Sequence, residues 1–300
     1  KLKPKPIVIV NHPSRSAEKD RQYGLNDPAE LRRWNDTSPE VSLGMAGAPG
    51  HQASTLNPDN TSRLEKFRGS YEKLPTMGGF DPMTARLGGF WDSMLGEGRH
   101  WWITANSDSH IHYTEGGDDF WPGEFSKTYV YAEKSYEAIL DGIRSGRIFV
   151  TTGDLISLLD LSVQSGTDSA QIGGTMKVSS GSNIEINIKF KDPEKNNHHE
   201  ENPSVTRVDL ITGKITGISI DPDNDRNSST LVLNRFYDND WTVKDEYKSM
   251  TFSLKNVTDS LYLRVRGTNT TQLEPDPDAK GENPWTDLWF YSNPIFIQVQ

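Results

Sequence analysis

The hydrophobic pattern of the sequence changes near residue 155, and this change is the strongest constraint on the fold. Before that point, apolar runs such as IVIV at 7–10 alternate with helix-like segments. The segment at 27–35 begins with Asp27 as a candidate N-cap and Pro28 at the first helical position, which is typical of a helix start. Strand–helix alternation of this kind predicts an α/β unit with parallel strands.

After residue 155 the helical pattern gives way to short runs of alternating apolar and polar residues. Runs such as IEINIKF and SLYLRVRG are separated by Gly, Asn, Asp and Pro, as expected for half-buried strands joined by turns. About seven to nine such runs predict an Ig-like antiparallel β-sandwich. We therefore divide the sequence into an α/β unit at 1–155 and an accessory β-sandwich at 156–300.

Charge and composition exclude several functional classes. The net charge is −10, whereas proteins that bind duplex nucleic acid normally present a basic surface. There is no cysteine, which rules out disulfides, thiolate metal ligands and a cysteine nucleophile. No apolar run approaches the roughly 18 residues of a membrane span. We expect a small-molecule substrate. A cysteine-free chain fits the cytosol as well as the bacterial periplasm, and the Asn/Thr-rich surface favours a periplasmic or secreted bacterial location over a cytoplasmic one.

Polar residues follow two of the predicted strands at their carboxyl ends. The strand at 7–10 runs into His12, and the strand at 100–105 runs towards Asp108 and His110. Alternate residues of an extended chain point the same way, so Asp108 and His110 are expected to converge. The carboxyl ends of parallel strands are where α/β enzymes hold their sites, so His12 is expected to join them. Imidazole and carboxylate ligands without sulfur fit Zn²⁺, Mn²⁺ or Fe.

The motifs NHPSR and NSDSH, followed by GRIFVTTG, resemble the PHP (polymerase and histidinol phosphatase) superfamily of metal-dependent phosphoesterases. The stretches at 44–52, 78–110 and 118–125 are similar to its bacterial branch with a C-terminal β-sandwich, which is related to carbamate-hydrolysing enzymes. The resemblance implies that residues 1–155 are the C-terminal part of a distorted (β/α)₇ barrel, a TIM-like architecture, and that the Ig-like sandwich follows it.

The resemblance also implies how the site would work. His12, Asp108 and His110 match the late metal-binding motifs of the family and are expected to hold two or three divalent ions (Zn, Mn or Fe). A metal-activated water would hydrolyse a small phosphodiester or monoester, with Asp108 close to that water. Two residues are catalytic candidates by their own chemistry. Arg15 would bind phosphate, with a structural salt bridge as the alternative. His51 would protonate a leaving group or bind substrate, with loop packing as the alternative.

Three hypotheses about function remain open at this stage. The first is a phosphoesterase, and the second is a carbamate, amide or ester hydrolase that uses the same metal site. The third is a non-catalytic binding module with a degenerate or incomplete site. The first H-x-H motif of the family would precede Lys1, so we expect an upstream segment, or a companion N-terminal polypeptide, to complete the metal site.

For further polar residues near the second strand, the sequence predicts less specific roles. Asn106 is expected to orient ligands or to shape the turn, and His112 to bind substrate or metal or to be structural. His100 and His198 are predicted to lie outside the site.

Overall fold

The computed structural model describes residues 5–300, and Lys1, on which the prediction of an upstream segment depends, lies outside them. The described chain is mainly β, with 35% strand and 12% helix. None of its helices is long and apolar enough to cross a membrane. The helices are α1 (Pro28–Thr37), α2 (Pro82–Ala85), α3 (Phe90–Gly96) and α4 (Tyr136–Arg144). The strands are β1 (Val8–Val10), β2 (Ser42–Ala48), β3 (Trp102–Ala105), β4 (Ser126–Val130), β5 (Ile148–Thr152), β6 (Leu158–Ser165), β7 (Asp168–Gln171), β8 (Thr175–Val178), β9 (Ser182–Lys191), β10 (Arg207–Lys214), β11 (Leu231–Phe236), β12 (Thr242–Lys244), β13 (Tyr247–Val257), β14 (Leu261–Thr268), β15 (Trp289–Ser292) and β16 (Ile295–Val299).

The first three strands form a small parallel sheet in the order β1-β2-β3. α1 connects β1 to β2, and α2 and α3 lie between β2 and β3. The predicted start of α1 is confirmed, because the Asp27 carboxylate accepts the Glu30 N–H at 2.7 Å and Pro28 is the first helical residue. Parallel strands have their carboxyl ends at one edge of a sheet, so the loops after β1, β2 and β3 meet there.

The predicted (β/α)₇ barrel, and with it the TIM-like architecture, is wrong. Within residues 5–155 only β1, β2 and β3 pair in parallel. α4 connects β4 to β5, a pattern that usually accompanies a parallel crossover. Here β4 and β5 are neighbours that pair antiparallel, and β5 continues antiparallel onto β15 near the end of the chain. The apolar run of β5 is therefore buried in a second sheet and adds no strand to the parallel one.

That second sheet is the central layer of the molecule. It has eight strands, with β11-β10-β14-β15-β5-β4 in sequence across it and β16 and β8 attached through β14. Trp289 and Tyr291 on β15 pack towards the parallel sheet, whereas Phe290 packs on the opposite face. The opposite face meets a five-stranded sheet in the order β12-β13-β9-β6-β7. Both faces of the central sheet are consequently buried.

The predicted antiparallel sandwich at 156–300 differs from the structure in two respects. The central sheet takes in β4 and β5 from the first part of the chain, so it runs across the proposed boundary near residue 155. In addition, β8 and β16 pair in parallel. The division into two domains stays a prediction. The hydrogen bonds of the central sheet join strands from both parts.

A buried ion pair attaches α3 to the central sheet. The Arg264 guanidinium on β14 donates to both oxygens of Asp92, at 2.9 and 2.8 Å. The Tyr262 hydroxyl donates to Asp92 at 2.9 Å, and the Gly88 N–H donates to it at 2.8 Å. The guanidinium also lies 4.7 Å from the centre of the Trp91 ring. These contacts fix α3, which leads into β3 and so supports the loop that follows β3.

Burial raises the pKa of Asp287 from its ordinary value of 3.8 to about 6, although nearby Arg68 acts in the opposite direction. The folded protein thus holds this proton more tightly than the unfolded chain, so the stability contributed by Asp287 falls as pH rises from about 4 to about 6. We expect Asp287→Asn, which can still accept the Trp289 Nε1–H, to gain up to about 3 kcal/mol relative to the wild type between pH 4 and pH 7. Urea unfolding of both proteins at several pH values measures this, and a difference independent of pH would contradict it.

Candidate functional site

The carboxyl ends of the three parallel strands bring the predicted site residues together. His12 follows β1, His51 follows β2, and Asp108 and His110 follow β3. Arg15 reaches the same place from the loop after β1 and lies 3.3 Å from the Asp108 carboxylate. The structure thus gathers all five residues in one cluster, although no sequence pattern indicated that β2 is a strand.

Asp108 is the central carboxylate of the cluster. Its Oδ2 atom lies 3.3 Å from Arg15 Nη1 and 3.4 Å from His51 Nε2. Burial alone would raise its pKa, but His51 and Arg15 outweigh burial and hold the pKa below the ordinary value of 3.8. Asn11 donates to this carboxylate, and Asn106 in turn donates to Asn11 Oδ1 at 3.3 Å. Asn106 therefore acts on Asp108 through Asn11.

His51 and His110 both have Nε2 as the ring nitrogen whose lone pair can bind a metal. His51 Nδ1 is in contact with the Asp119 carboxylate. His110 Nδ1 lies 2.6 Å from the backbone carbonyl oxygen of Asp108, which can only accept a hydrogen bond. Both Nδ1 atoms are thus placed to carry the proton, which leaves the lone pair on each Nε2 atom. Metal-binding histidines in proteins are commonly oriented in this way, with Nδ1–H bound to a carboxylate or carbonyl.

Asp119 is a site residue that sequence reasoning missed. It is almost fully buried, and its Oδ2 atom accepts the backbone N–H of His110 at 2.5 Å and that of Ile111 at 2.9 Å. One donor atom from each of His51, His110 and Asp119 lies within 4.8 Å of the others. Because its oxygens already accept these hydrogen bonds, Asp119 is suited to orient the two histidines. Its position could not be inferred from DDFWPGEF, where nothing separates a buried acid from a surface one.

His12 has a strained backbone and a partly buried imidazole with a lowered pKa. Its φ is +31°, and those of His51 and Asp108 are +59° and +50°, a region that residues with side chains adopt rarely. Such conformations are held in place by surrounding contacts and often occur at functional sites. Burial, followed by the charge of Arg15, lowers the pKa of His12 below 6.5. A lowered pKa favours the neutral imidazole, which is the form that binds metals.

Arg15 has buried N–H groups without partners. Nη1 donates to Asp108, but Nε and Nη2 have no hydrogen-bond partner among residues 5–300. The guanidinium lies 5.7 Å from the centre of the Tyr71 ring, which leaves it little freedom to turn elsewhere. Unpaired charged donors are costly to bury, and the fork geometry of a guanidinium matches the oxygens of a phosphate or carboxylate. This side of the cluster is thus suited to bind an anion.

The remaining histidines lie outside this cluster. His100 precedes β3, at the opposite end from the site, and stacks on Trp102 with ring centres 5.1 Å apart. His112 contacts the Glu124 carboxylate at 2.9 Å, in a separate group that also includes His198. The role of His112 in the predicted site therefore receives no support from its contacts.

Gly50 permits the close approach of the loops after β2 and β3. A Cβ atom at this position would lie 2.1 Å from Asp108 Cβ and 2.4 Å from the Ser107 carbonyl oxygen. We expect Gly50→Ala to push the Asp108 loop away from His51 and to weaken Zn²⁺ binding at least about 10-fold. Isothermal titration calorimetry measures the affinity, with Gly166→Ala as the control because its Cβ would meet nothing within 4 Å and any backbone strain would stay in the turn between β6 and β7, away from the cluster. Equal affinities in the two variants would contradict the expectation.

No protein-family model matches this sequence, and a search of curated proteins found no match. The resemblance to the PHP superfamily therefore stays a prediction from short motifs. The chemistry of the cluster carries the functional proposal.

Proposed function

We propose that the protein is a metal-dependent hydrolase that acts on phosphate esters at the ends of β1, β2 and β3. One observation carries the proposal. His51 and His110 offer metal-ligand atoms in one group with Asp119, and Asp108 contacts both His51 Nε2 and Arg15, whose buried guanidinium has unpaired donors. The motif resemblance supports the same chemistry, but only at the level of the motifs, since the barrel that it implied is absent from residues 5–300.

The residues present fit a divalent ion. His51 and His110 each offer an Nε2 atom, and Asp108 Oδ2 lies 3.4 Å from His51 Nε2. Ligands on a tetrahedral zinc are separated by about 3.4 Å, because each bond is roughly 2.0–2.2 Å long. Three protein ligands with a further open position are typical of catalytic zinc, and His12 stands ready as an additional donor. An ion bound there would supply a Lewis acid that activates water and stabilises developing negative charge.

The protein's own residues bind and orient the substrate. Arg15 binds two phosphate oxygens through Nε and Nη2, and Asp108 holds the guanidinium in place through Nη1. Asp119 fixes the ring of His51, and it fixes the loop of His110 through two backbone N–H groups. The anion-binding side favours phosphate over an uncharged carbamate or amide, because a neutral substrate would leave the Arg15 donors unpaired.

Hydrolysis of chromogenic esters tests the proposal. The protein, stripped of metal and then supplied with Zn²⁺ or Mn²⁺, should hydrolyse bis(4-nitrophenyl) phosphate, and His51→Ala should abolish the turnover. His100→Ala is the matched control and should keep it, since that exposed histidine lies at the other end of β3. If only aryl carbamates are hydrolysed, the reacting centre is a carbonyl carbon and not phosphorus. No metal-dependent turnover of either substrate would favour the binding-module hypothesis.

Arg15→Lys separates phosphate binding from metal binding. Lysine keeps the positive charge but not the fork, so KM for the phosphodiester should rise at least about 10-fold, the equivalent of one charged hydrogen bond. Zn²⁺ affinity should change little, because Arg15 is not a ligand. An unchanged KM would show that Arg15 does not bind the phosphate.

A further inference from the structure

A second group of potential metal ligands lies between the loop after β3 and the β9–β10 connection. It consists of His112, Glu124 and His198, and one donor atom from each lies within 4.8 Å of the others. It shares no residue with the cluster of His51, His110 and Asp119. No sequence pattern links these three residues, since His198 is 86 residues from His112 and lies in a polar run.

The distances suit a bridging cation. Glu124 Oε1 lies 3.5 Å from His198 Nε2, longer than a good hydrogen bond, and Glu124 Oε2 lies 2.9 Å from His112 Nε2. Neighbouring ligands on a tetrahedral zinc are about 3.4 Å apart, so an ion fits between His198 and Glu124 with small side-chain adjustments. Two imidazoles and a carboxylate are ligands that Zn²⁺ accepts.

The contacts around His112 and Glu124 hold both side chains in place. His112 Nδ1 lies 2.7 Å from the Thr114 hydroxyl and accepts the Thr114 N–H at 3.4 Å, so an ion would replace the proton that Nε2 shares with Glu124. The Trp121 N–H donates to Glu124 Oε2 at 2.7 Å and so fixes this carboxylate. The Trp121 ring also stacks on His112 with centres 5.2 Å apart, which shields that side of the group from water.

The loop that carries His198 is held from the other side. Asn197 is buried, donates to the Gly153 carbonyl oxygen at 3.1 Å, and accepts the backbone N–H groups of His199 and Glu201 at 2.9 and 3.0 Å. His198 is therefore presented by a fixed turn, although its own ring is partly exposed. The fourth coordination position would face solvent on that side.

We propose that His112, Glu124 and His198 form a second divalent-metal site, selective for Zn²⁺-like ions, that ties the loop 110–124 to the β9–β10 connection. The same loop carries His110 and Asp119, so the ion would brace the segment that supplies the first cluster. The proposal does not rest on the proposed hydrolase activity, because its ligands, its position and its test are separate.

Metal counting in a variant whose first cluster is weakened by the loss of His51 tests this site. In the His51→Ala protein, Co²⁺ titration followed by visible absorption, with elemental analysis after dialysis against Zn²⁺, should give one tightly bound ion per chain. The double variant His51→Ala/His198→Ala should bind none. His51→Ala/His199→Ala is the matched control and should still bind one, because His199 stacks on Trp285 outside the group.

Each other outcome overturns the proposal. No bound ion in His51→Ala would show that His112, Glu124 and His198 lie together without binding a metal. An ion that persists in His51→Ala/His198→Ala would place the metal elsewhere. If His51→Ala does not fold, the wild type and the single variant His198→Ala, altered only in a partly exposed loop, must differ by one ion. Equal metal content in these two proteins would equally refute the site.

Discussion

Replacing Asp92 by alanine is expected to destabilise the protein by about 3–5 kcal/mol, the cost of leaving a buried charge without its partner. Arg264 has essentially no exposed surface and would lose both of its short contacts to the carboxylate, at 2.9 and 2.8 Å. The Tyr262 hydroxyl and the Gly88 N–H would lose the same acceptor. The midpoint of urea unfolding and its slope measure the change in the free energy of unfolding.

An exposed ion pair provides the control for this prediction. Lys214 and Asp259 lie 3.0 Å apart, but more than half of each side chain is exposed. Asp259→Ala should therefore cost less than about 1 kcal/mol. The double variant Asp92→Ala/Arg264→Met should recover part of the loss, since it removes the unpaired charge. A loss below about 1 kcal/mol for Asp92→Ala would mean that α3 is not held by this pair.

Asp119→Asn is expected to weaken Zn²⁺ binding about 10- to 100-fold, in line with the loss of a carboxylate that orients a metal-binding histidine. An asparagine offers one acceptor oxygen where Asp119 offers two. Either the contact to His51 Nδ1 or the hydrogen bonds from the backbone of His110 and Ile111 must then face an NH₂ group. Calorimetric titration with Zn²⁺ measures the affinity, and the unfolding midpoint shows whether the fold is retained.

The neighbouring Asp118 gives a matched control. It pairs with Arg63 at 2.8 Å, is partly exposed, and has no hydrogen bond or ion pair with the histidines of the cluster among residues 5–300. Asp118→Asn removes the same charge one residue away and should leave the affinity for Zn²⁺ within about twofold, because a half-exposed charge acts weakly on a distant site. Equal losses of affinity in the two variants would indicate a general effect of charge and would contradict an orienting role for Asp119.

Local elements of the first part of the chain could be predicted because their signals are local. The Asp27 cap and Pro28 define the start of α1, and Gly88 and Gly89 interrupt the helical pattern between α2 and α3. The barrel was wrong because strand pairing is not local. The pairing of β5 with β15 joins residues about 140 positions apart, and an apolar run such as IFVTT suits any sheet buried on both faces.

The part of the candidate site that depends on local sequence signals could also be predicted. His12, Asp108 and His110 stand next to strand ends, where their chemistry is visible in the sequence. The sequence pattern places His51 in a Gly/Pro loop, where it would protonate a leaving group, bind substrate or pack the loop, and the Gly-rich run SLGMAGA before it does not indicate the strand β2 that it forms. Asp119 could not be found, since its burial and its hydrogen bonds depend on how the loop after β3 folds back.

Anomalous diffraction from Zn²⁺-soaked crystals of the full chain tests the central claim most directly. The metal site at the strand ends predicts a peak within about 2.0–2.2 Å of the Nε2 atoms of His51 and His110 and of an Asp108 oxygen. Its loss in Asp119→Asn crystals under the same soak would support the orienting role of that residue. A map of the wild type with no peak beside these three side chains would contradict the proposed metal-dependent function.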